Sequence, residues 1–432
     1  MGKRVVITGL GVCAPNGVGL TDFTVALTNG TSGIRFQSEL ERLKFGCQIA
    51  ANPLVKDNVL NNYFTPLQLR GLNASGLVYG VIAGMDAWAD AGLEPNATNE
   101  PYWDYGILFG TGILGVDKFR EAILMIDDQK VRRLGSTSVI QTMASGVSAY
   151  LGGNLGCGNQ VSANSSACTT GTEGILMGYE RIASGKAEAM LVGSCSDSGP
   201  YVWGGFDAMR ILPRGYSDKP TKASRPMSAS AAGFVPGSGA GALVLESLES
   251  AQKRGAKIYA EVLGGEINSG GQLGEGSMTA PNSLAVQRCI RNAVKNAGIN
   301  AEDIDAINGH LTATSKDSLE IRNWSAALGR KGRDFPYINS FKGMIGHCLA
   351  AAGSIESVAS ILQFSEGVVF GNVNCEDVHP EIAALIGEDS IPKKTINYSP
   401  KIIAKASFGF GDVNACVIFK AFSDEHQAET SR

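Results

Sequence analysis

The stretch at residues 165–171, SSACTTG, sets a cysteine among small residues directly after the apolar-polar stretch NQVSANS. After it, Ile175, Leu176, Tyr179, Ile182 and Ala183 recur at helical spacing, and Ser184-Gly185 closes the pattern. The spacing therefore predicts Cys168 at a helix N-terminus, on a strand-to-helix corner of the kind that presents a nucleophile. Unpaired N–H groups and the positive dipole end favour a thiolate there, and are expected to lower the thiol below its free value of about 8.5. The competing reading is a small buried hydrophobe, which is the one adopted for most of the other eight cysteines.

A nucleophile needs partners, and the chain has only four histidines. His426 falls in a polar tail, and His379 precedes a proline in what reads as an exposed loop. His310, in NGHLTATSKDSLE, follows an apolar strand directly, where α/β folds present functional groups. His347, in SFKGMIGHCLAAAG, lies between a strand ending near Lys342 and a helix rich in small residues. Singly, each reads as a hydrogen-bonded structural histidine. Two of them at strand-to-helix corners, beside a primed cysteine, point to nucleophilic catalysis.

These groups must be held by a layered scaffold. Short β-rich runs at 4–12, 105–112, 188–194, 241–247, 257–266, 304–310, 337–341 and 405–422 alternate with helical stretches, which argues for an α/β fold with buried strands. Val286, Ile290, Ala293, Val294 and Ala297 share one helix face, capped by Gly298. The chain also resembles itself. AWADAGLEP (87–95) matches AVKNAGINA (293–301), RVVITGLGVCAPNG matches IYAEVLGGEINSGG, and GSGAGALVLE matches GFGDVNACVIFK. This divides the chain into similar halves, 1–255 and 256–422, followed by a flexible tail, 423–432.

Composition excludes several classes. A net charge of −4 without a long Lys/Arg run gives no electrostatic footprint for nucleic acid. Nine cysteines, an odd number with no CxxC pair, read as free thiols in a reducing cytoplasm. The N-terminal apolar run is too short for a signal peptide, and no uninterrupted apolar run reaches membrane-spanning length, so no membrane association is expected. The G-x-G of TGLGVCAPNG lacks the third glycine and downstream acid of a dinucleotide site.

Five motifs, SSACTTG, PTKASRPMSASAAGFVPGSGAGALVLE, HLTATSKDSLE, SFKGMIGHCLAAAG and SFGFGDVNA, stand in the order and at about the spacing of elongating β-ketoacyl-acyl-carrier-protein synthases of the thiolase superfamily, over residues 3–420. The resemblance implies a thiolase-like fold, two pseudo-symmetric βαβαβαββ halves in α-β-α-β-α layers. It implies an acyltransferase in which Cys168 carries the acyl chain while His310 and His347 hold the thioester carbonyl of malonyl-acyl-carrier protein during decarboxylation. Lys342 would pair with Glu320 and orient the histidines. The amides of Cys168 and Phe408 would form the oxyanion hole, and Phe408, with Gly409 and Gly411, would gate the acyl pocket. Thr312 and Thr314 would bind pantetheine. The resemblance implies neither metal nor cofactor, an acyl carrier protein as partner, and a homodimer or a heterodimer with a second ketosynthase-like chain.

An acidic carrier protein needs a basic patch on its partner. Lys130, Arg132 and Arg133 form one candidate, and Arg210 with Arg214 another. The chain departs from the family at Leu311, where Gly is usual, in a His310–Glu320 loop one residue short, at Ser228, Ala231 and Ser238, and at Asp412 and Val413. Leu311 is expected to narrow the pantetheine tunnel. The departures suggest a specialised acyl substrate, as in polyene or pigment synthesis, over housekeeping fatty-acid elongation. A non-catalytic or weakly active partner subunit of a ketosynthase heterodimer stays open as the alternative; a thiolase acting on coenzyme A thioesters is disfavoured by the second histidine.

Overall fold

The computed structural model describes residues 2–423, so the tail from residue 424, with His426, lies outside the described residues. In the first half, Val5–Ala14 (β1) is followed by the helix Ser75–Asp90 (α1), then Tyr105–Thr111 (β2), Val161–Ser162 (β3), the helix Thr170–Ala183 (α2), Ala189–Ser196 (β4) and Gly239–Ser247 (β5). The second half runs Ala260–Ser269 (β6), helix Ser283–Asn296 (α3), Ala306–Asn308 (β7), helix Asp317–Leu328 (α4), Tyr337–Asn339 (β8), helix Ala352–Glu366 (α5), Ile402–Gly409 (β9) and Val413–Ala421 (β10).

Hydrogen bonding orders these strands β8-β7-β9-β10-β6-β1-β5-β4-β2-β3. Outward from β1 the neighbours pair antiparallel, antiparallel, parallel, parallel. Outward from β6 the same sequence of senses repeats. The two half-sheets meet where Val5, Val6 and Ile7 pair with Val262, Glu261 and Ala260. Each internal sequence match falls on equivalent elements: β1 with β6, β5 with β10, and the C-terminal ends of α1 and α3. The run 405–422 is two antiparallel strands rather than one, turned at residues 410–412 where Gly411 and Asp412 take positive φ.

Every residue of β1 and of β5 is buried, as near-continuous apolar runs require when a sheet is covered on both faces. Helix α1 packs on the outer face of β1, β5 and β4, and α3 on that of β6 and β10. Between the half-sheets lie α2 and α5, which touch each other and strands of both halves, completing the α-β-α-β-α order.

Close approach of α2 and α5 demands small residues. A Cβ on Gly171 would lie 2.3 Å from the Ser354 nitrogen, and one on Gly353 would lie 2.5 Å from the Thr172 nitrogen. Ala352 to Gln363 are all buried, and the hydroxyls of Ser357 and Ser360 satisfy themselves on carbonyls one turn back. Gly353→Ala forces backbone against backbone and is expected to cost about 3 kcal/mol, the upper range for overpacking, read as a lowered denaturant midpoint.

Candidate active site

Two equivalent corners lead into the central helices. Ala167–Thr169 and Leu349–Ala351 are each a single 3-10 turn, opening on a strained residue, Ala167 at φ +50° and Leu349 at φ +53°. The stretches ACTTG and LAAAG thus superimpose in role, with Gly171 answering Gly353 and Cys168 answering Ala350. Side chains lock the first corner. Thr170 Oγ1 donates to Ala167 O at 2.7 Å and accepts from Ser166 N–H at 2.9 Å, while Thr169 Oγ1 donates to Ser166 O at 2.6 Å.

His347, from the second corner, places Nε2 3.1 Å from Cys168 Sγ. Its Nδ1 accepts the Leu349 N–H at 3.3 Å, which leaves the proton on Nε2 and makes this imidazole a donor toward the sulfur. The His310 ring stands 5.3 Å from that of His347, nearly perpendicular, and the reactive atoms of Cys168, His310 and His347 all lie within 4.8 Å of one another. His310 Nδ1 is buried without a hydrogen-bond partner among the described residues. Phe234 packs its edge on His347 at 5.1 Å, and Phe206 links Phe234 to Phe410.

A cavity of about 480 Å³ reaches all three groups. The first half contributes apolar wall, chiefly Ile113, Val202, Phe206, Ile211 and Phe234; the second contributes Thr279, Thr312, Thr314, Lys316 and Asn323. The Thr312 and Thr314 hydroxyls lie 3.1 Å apart, side by side on this wall.

Burial, rather than the helix end, governs the resting thiol. Desolvation pushes Cys168 up to about 11, opposed by the Phe410 amide and the Lys342 charge and reinforced by Glu356. The expectation of a lowered thiol is therefore corrected: Cys168 is buried, and two approaching amides do not replace the water its sulfur has lost. The same burial, with Lys342 and Lys405 nearby, holds both imidazoles well below the usual histidine value, so they are neutral.

Three further expectations change. Lys342 pairs with Glu356 on α5, not with Glu320. Glu320 instead accepts the N–H groups of His310 and Leu311, both at 2.7 Å, and Trp324 Nε1–H at 3.3 Å, fixing the His310 loop from beneath. Burial raises its carboxyl to about 7 against those bonds. The amide directed at the sulfur is that of Phe410, not Phe408. Phe408 sits within the β9–β10 ladder opposite Asn414, with its ring 6.3 Å from His310, whereas Phe410 is the first residue beyond the strand. Gly409 permits this approach, since a Cβ there would lie 3.1 Å from the Cys168 nitrogen. Leu311 does not narrow the cavity: at φ +25° it turns into the second-half core with Ile321 and Trp324.

Arg210 and Arg214 are exposed and flank Ile211 of the cavity wall. Lys130, Arg132 and Arg133 are exposed on a turn after helix Val116–Asp127, with Lys130 paired to Asp128, and do not line the cavity. Asp412 proves structural: its carboxylate accepts Gln272 N–H at 3.0 Å and Asn282 N–H at 2.8 Å, tying down the loop that brings Thr279 and Pro281 to the cavity. Ser228 donates to Asp377, which also binds Arg225 at 2.8 Å. Sequence reading missed Glu356, Lys405, Phe410 and Lys316. Glu356 alone left a signal, a carboxylate in the midst of the buried run Ala352–Gln363.

The donor role of His347 has a measurable consequence. Replacing its N–H with an apolar side chain of similar bulk, His347→Leu, removes a charge-assisted hydrogen bond worth about 1.5–3 kcal/mol to the thiolate. Iodoacetamide labelling of Cys168, followed by intact mass with Cys168→Ala as the blank, is expected to slow roughly 10- to 100-fold near neutral pH.

Comparison with known proteins now bears on this geometry. The family model for the β-ketoacyl synthase N-terminal domain matches residues 2–251, and that for the β-ketoacyl synthase C-terminal domain matches residues 259–376. The 3-oxoacyl-[acyl-carrier-protein] synthase 2 of Vibrio harveyi is 33% identical over 98% of this chain and 99% of its own length. The chloroplastic 3-oxoacyl-[acyl-carrier-protein] synthase II of Arabidopsis thaliana is 35% identical over 97% of this chain and 76% of its own. Among solved structures, a β-ketoacyl synthase from Burkholderia phymatum STM815 superimposes with a TM-score of 0.87 at 28% identity, covering 98% of this chain and 100% of that one. A ketosynthase described as AntDE:AntF, a type II PKS acyl-carrier protein in complex with its ketosynthase bound to the hexaketide, gives a TM-score of 0.86 at 28% identity over the same shares. A thiol, two neutral imidazoles and paired amides on a thiolase-like frame, matched by these family models and full-length relatives, place this chain in the β-ketoacyl synthase family.

Proposed function

We propose that this protein is an acyl-carrier-protein-dependent condensing enzyme, forming a β-ketoacyl thioester by decarboxylative Claisen condensation. The observation that carries the reading is the convergence of Cys168 Sγ with the His310 and His347 imidazoles within 4.8 Å, at a cavity walled by apolar side chains.

The steps follow from the groups present. Cys168 attacks the thioester carbonyl of an acyl-carrier protein, and the oxyanion rests on the amides of Cys168 and Phe410. As the carrier thiolate departs, it takes up the proton that Cys168 releases. The buried thiol resists ionising until a substrate displaces solvent and the His347 N–H supports the sulfur. Malonyl-carrier protein then enters, with its pantetheine arm along Thr312 and Thr314. Its thioester carbonyl accepts hydrogen bonds from His310 and His347, which must be neutral to avoid protonating the product carbanion. Carbon dioxide leaves, the enolate carbon attacks the Cys168 thioester, and the cysteine thiolate is expelled and reprotonated. Donors at developing charge are typically worth about 3–4 kcal/mol each. Every group this scheme needs belongs to the chain, so the reading invokes no metal or cofactor.

An acidic carrier protein would dock where Arg210 and Arg214 flank the cavity wall at Ile211, a better placed candidate than the Lys130, Arg132 and Arg133 turn. Helix Val116–Asp127 and the turn after it expose Phe119, Ile123, Leu124, Ile126 and Val131, an apolar face suited to a second ketosynthase chain, most simply another copy. Among the described residues no helix is long and apolar enough to cross a membrane, and the cysteines are unpaired, as suits a reducing compartment such as the cytoplasm.

Incubation with saturated, unsaturated and aryl-primed acyl-carrier proteins should add one acyl group to the wild type and none to Cys168→Ala, with the unsaturated or aryl chains preferred. Malonyl-dependent carbon dioxide release should fall at least about 10²-fold in His310→Ala. Absence of acyl transfer from every carrier-bound chain would overturn the reading, and a preference for saturated medium chains would remove the specialised substrate. Arg210→Glu with Arg214→Glu should raise KM for carrier-bound substrates while sparing small thioester analogues. An equal loss on both classes would remove the docking role.

A further inference from the structure

Beneath the two imidazoles, two fully buried lysines share one fully buried carboxylate. Glu356 is fully buried on α5, and Lys342 pairs with its Oε1. Lys405, also fully buried, brings Nζ to 2.8 Å from Glu356 Oε2. The Lys405 ammonium spends its aligned hydrogens elsewhere, donating to Ala406 O at 2.6 Å and to Ser407 Oγ at 3.1 Å, so among the described residues Glu356 Oε2 has no well-directed donor. Ser407 Oγ in turn lies 2.9 Å from Thr172 Oγ1, at the start of the helix that follows Cys168. In the sheet, Lys405 is paired with Asn308, two residues before His310. Lys342 alone would neutralise Glu356, and a second buried cation is costly unless its charge is used.

We infer that Lys405 is a positioning residue whose ammonium, fixed by Ala406 O and Ser407 Oγ opposite Lys342, keeps His310 and His347 neutral and ready to donate hydrogen bonds to a substrate oxygen. This rests on the proposed condensation for its purpose, though not for its electrostatics. The groups bearing on the imidazoles are few. Cys168 faces them from the corner before α2, Lys342 and Glu356 from the turn before His347 and from α5, and Lys405 from β9. Glu320 and Asp317 stand behind the His310 loop, both engaged by backbone amides. Glu320 and, on β10, Cys416 also neighbour Lys405. Both lysines disfavour the imidazolium forms, in the same direction as burial. Burial lowers Lys405, and the charges of Glu356 and Glu320 oppose that loss.

The sign is fixed: removing a nearby cation makes imidazolium easier to form, so the histidines titrate at higher pH. Lys405→Met keeps the aliphatic stem and leaves Glu356 its Lys342 partner. In the full-length protein labelled with [13C]histidine, the His310 and His347 Cε1 resonances of the wild type should stay in the neutral form well below the ordinary histidine range. In Lys405→Met their midpoints should rise by about one pH unit or more. The acid limb of malonyl-dependent carbon dioxide release should move up with them, whereas merely looser packing would lower the amplitude without moving the limb. Lys405→Ala provides a second route, since methylammonium should restore the wild-type titration by occupying the space vacated. Titrations unmoved in both variants would overturn the inference. A wild type that releases no carbon dioxide while the imidazoles still shift would instead sink the condensing reading.

Discussion

The His347 imidazole and the Cys168 sulfur, 3.1 Å apart, come from opposite halves of the chain, and their meeting depends on how closely two helices can cross. Were α2 and α5 separated by one more side chain, the two corners would part and no hydrogen bond would span them. Glycine at 171 and 353 removes that side chain from each helix at equivalent places. The repeated half thus does more than double the core. It supplies two like corners, one modified to bear a thiol and the other to bear an imidazole three residues before the position that answers it.

Dehydration is the second constraint. A sulfur and two imidazoles enclosed by Phe206, Phe234 and Phe408 lose water, which holds the thiol protonated and the histidines neutral. That resting state protects the nucleophile and keeps two N–H donors available. Reactivity then has to come from groups that act on charge as it forms: the amides of Cys168 and Phe410, the His347 N–H, and the lysines around Glu356. Each is set by backbone or by fully buried side chains, so little reorganisation accompanies the reaction.

Local signals made the chemistry-bearing residues legible. Cys168 stood out because small residues and a helical period bracketed it, and His310 and His347 because each followed a strand. Pattern also revealed the repeated strands and helix ends, although 405–422 read as one strand where the chain doubles back at 410–412. What stayed hidden was contact across the halves. The partner of Lys342 follows from which face of α5 meets the turn at residue 342, and Lys405 looks like any polar residue in an alternating strand until α5 covers it. Phe408 and Phe410 differ only in whether β9 has ended. The match of ACTTG to LAAAG was illegible because small residues alone carry it, and its meaning lies in backbone angles.

The most direct test of a single site assembled from two corners is the structure of the acyl-enzyme. With an acyl chain on Cys168, the account predicts the thioester carbonyl oxygen within hydrogen-bond distance of the Cys168 and Phe410 amides, with the chain against Ile113, Val202 and Phe206. The His310 and His347 nitrogens would face the opposite side, open to a second thioester. A carbonyl oxygen bound instead by the imidazoles, or a chain lying outside that cavity, would contradict it.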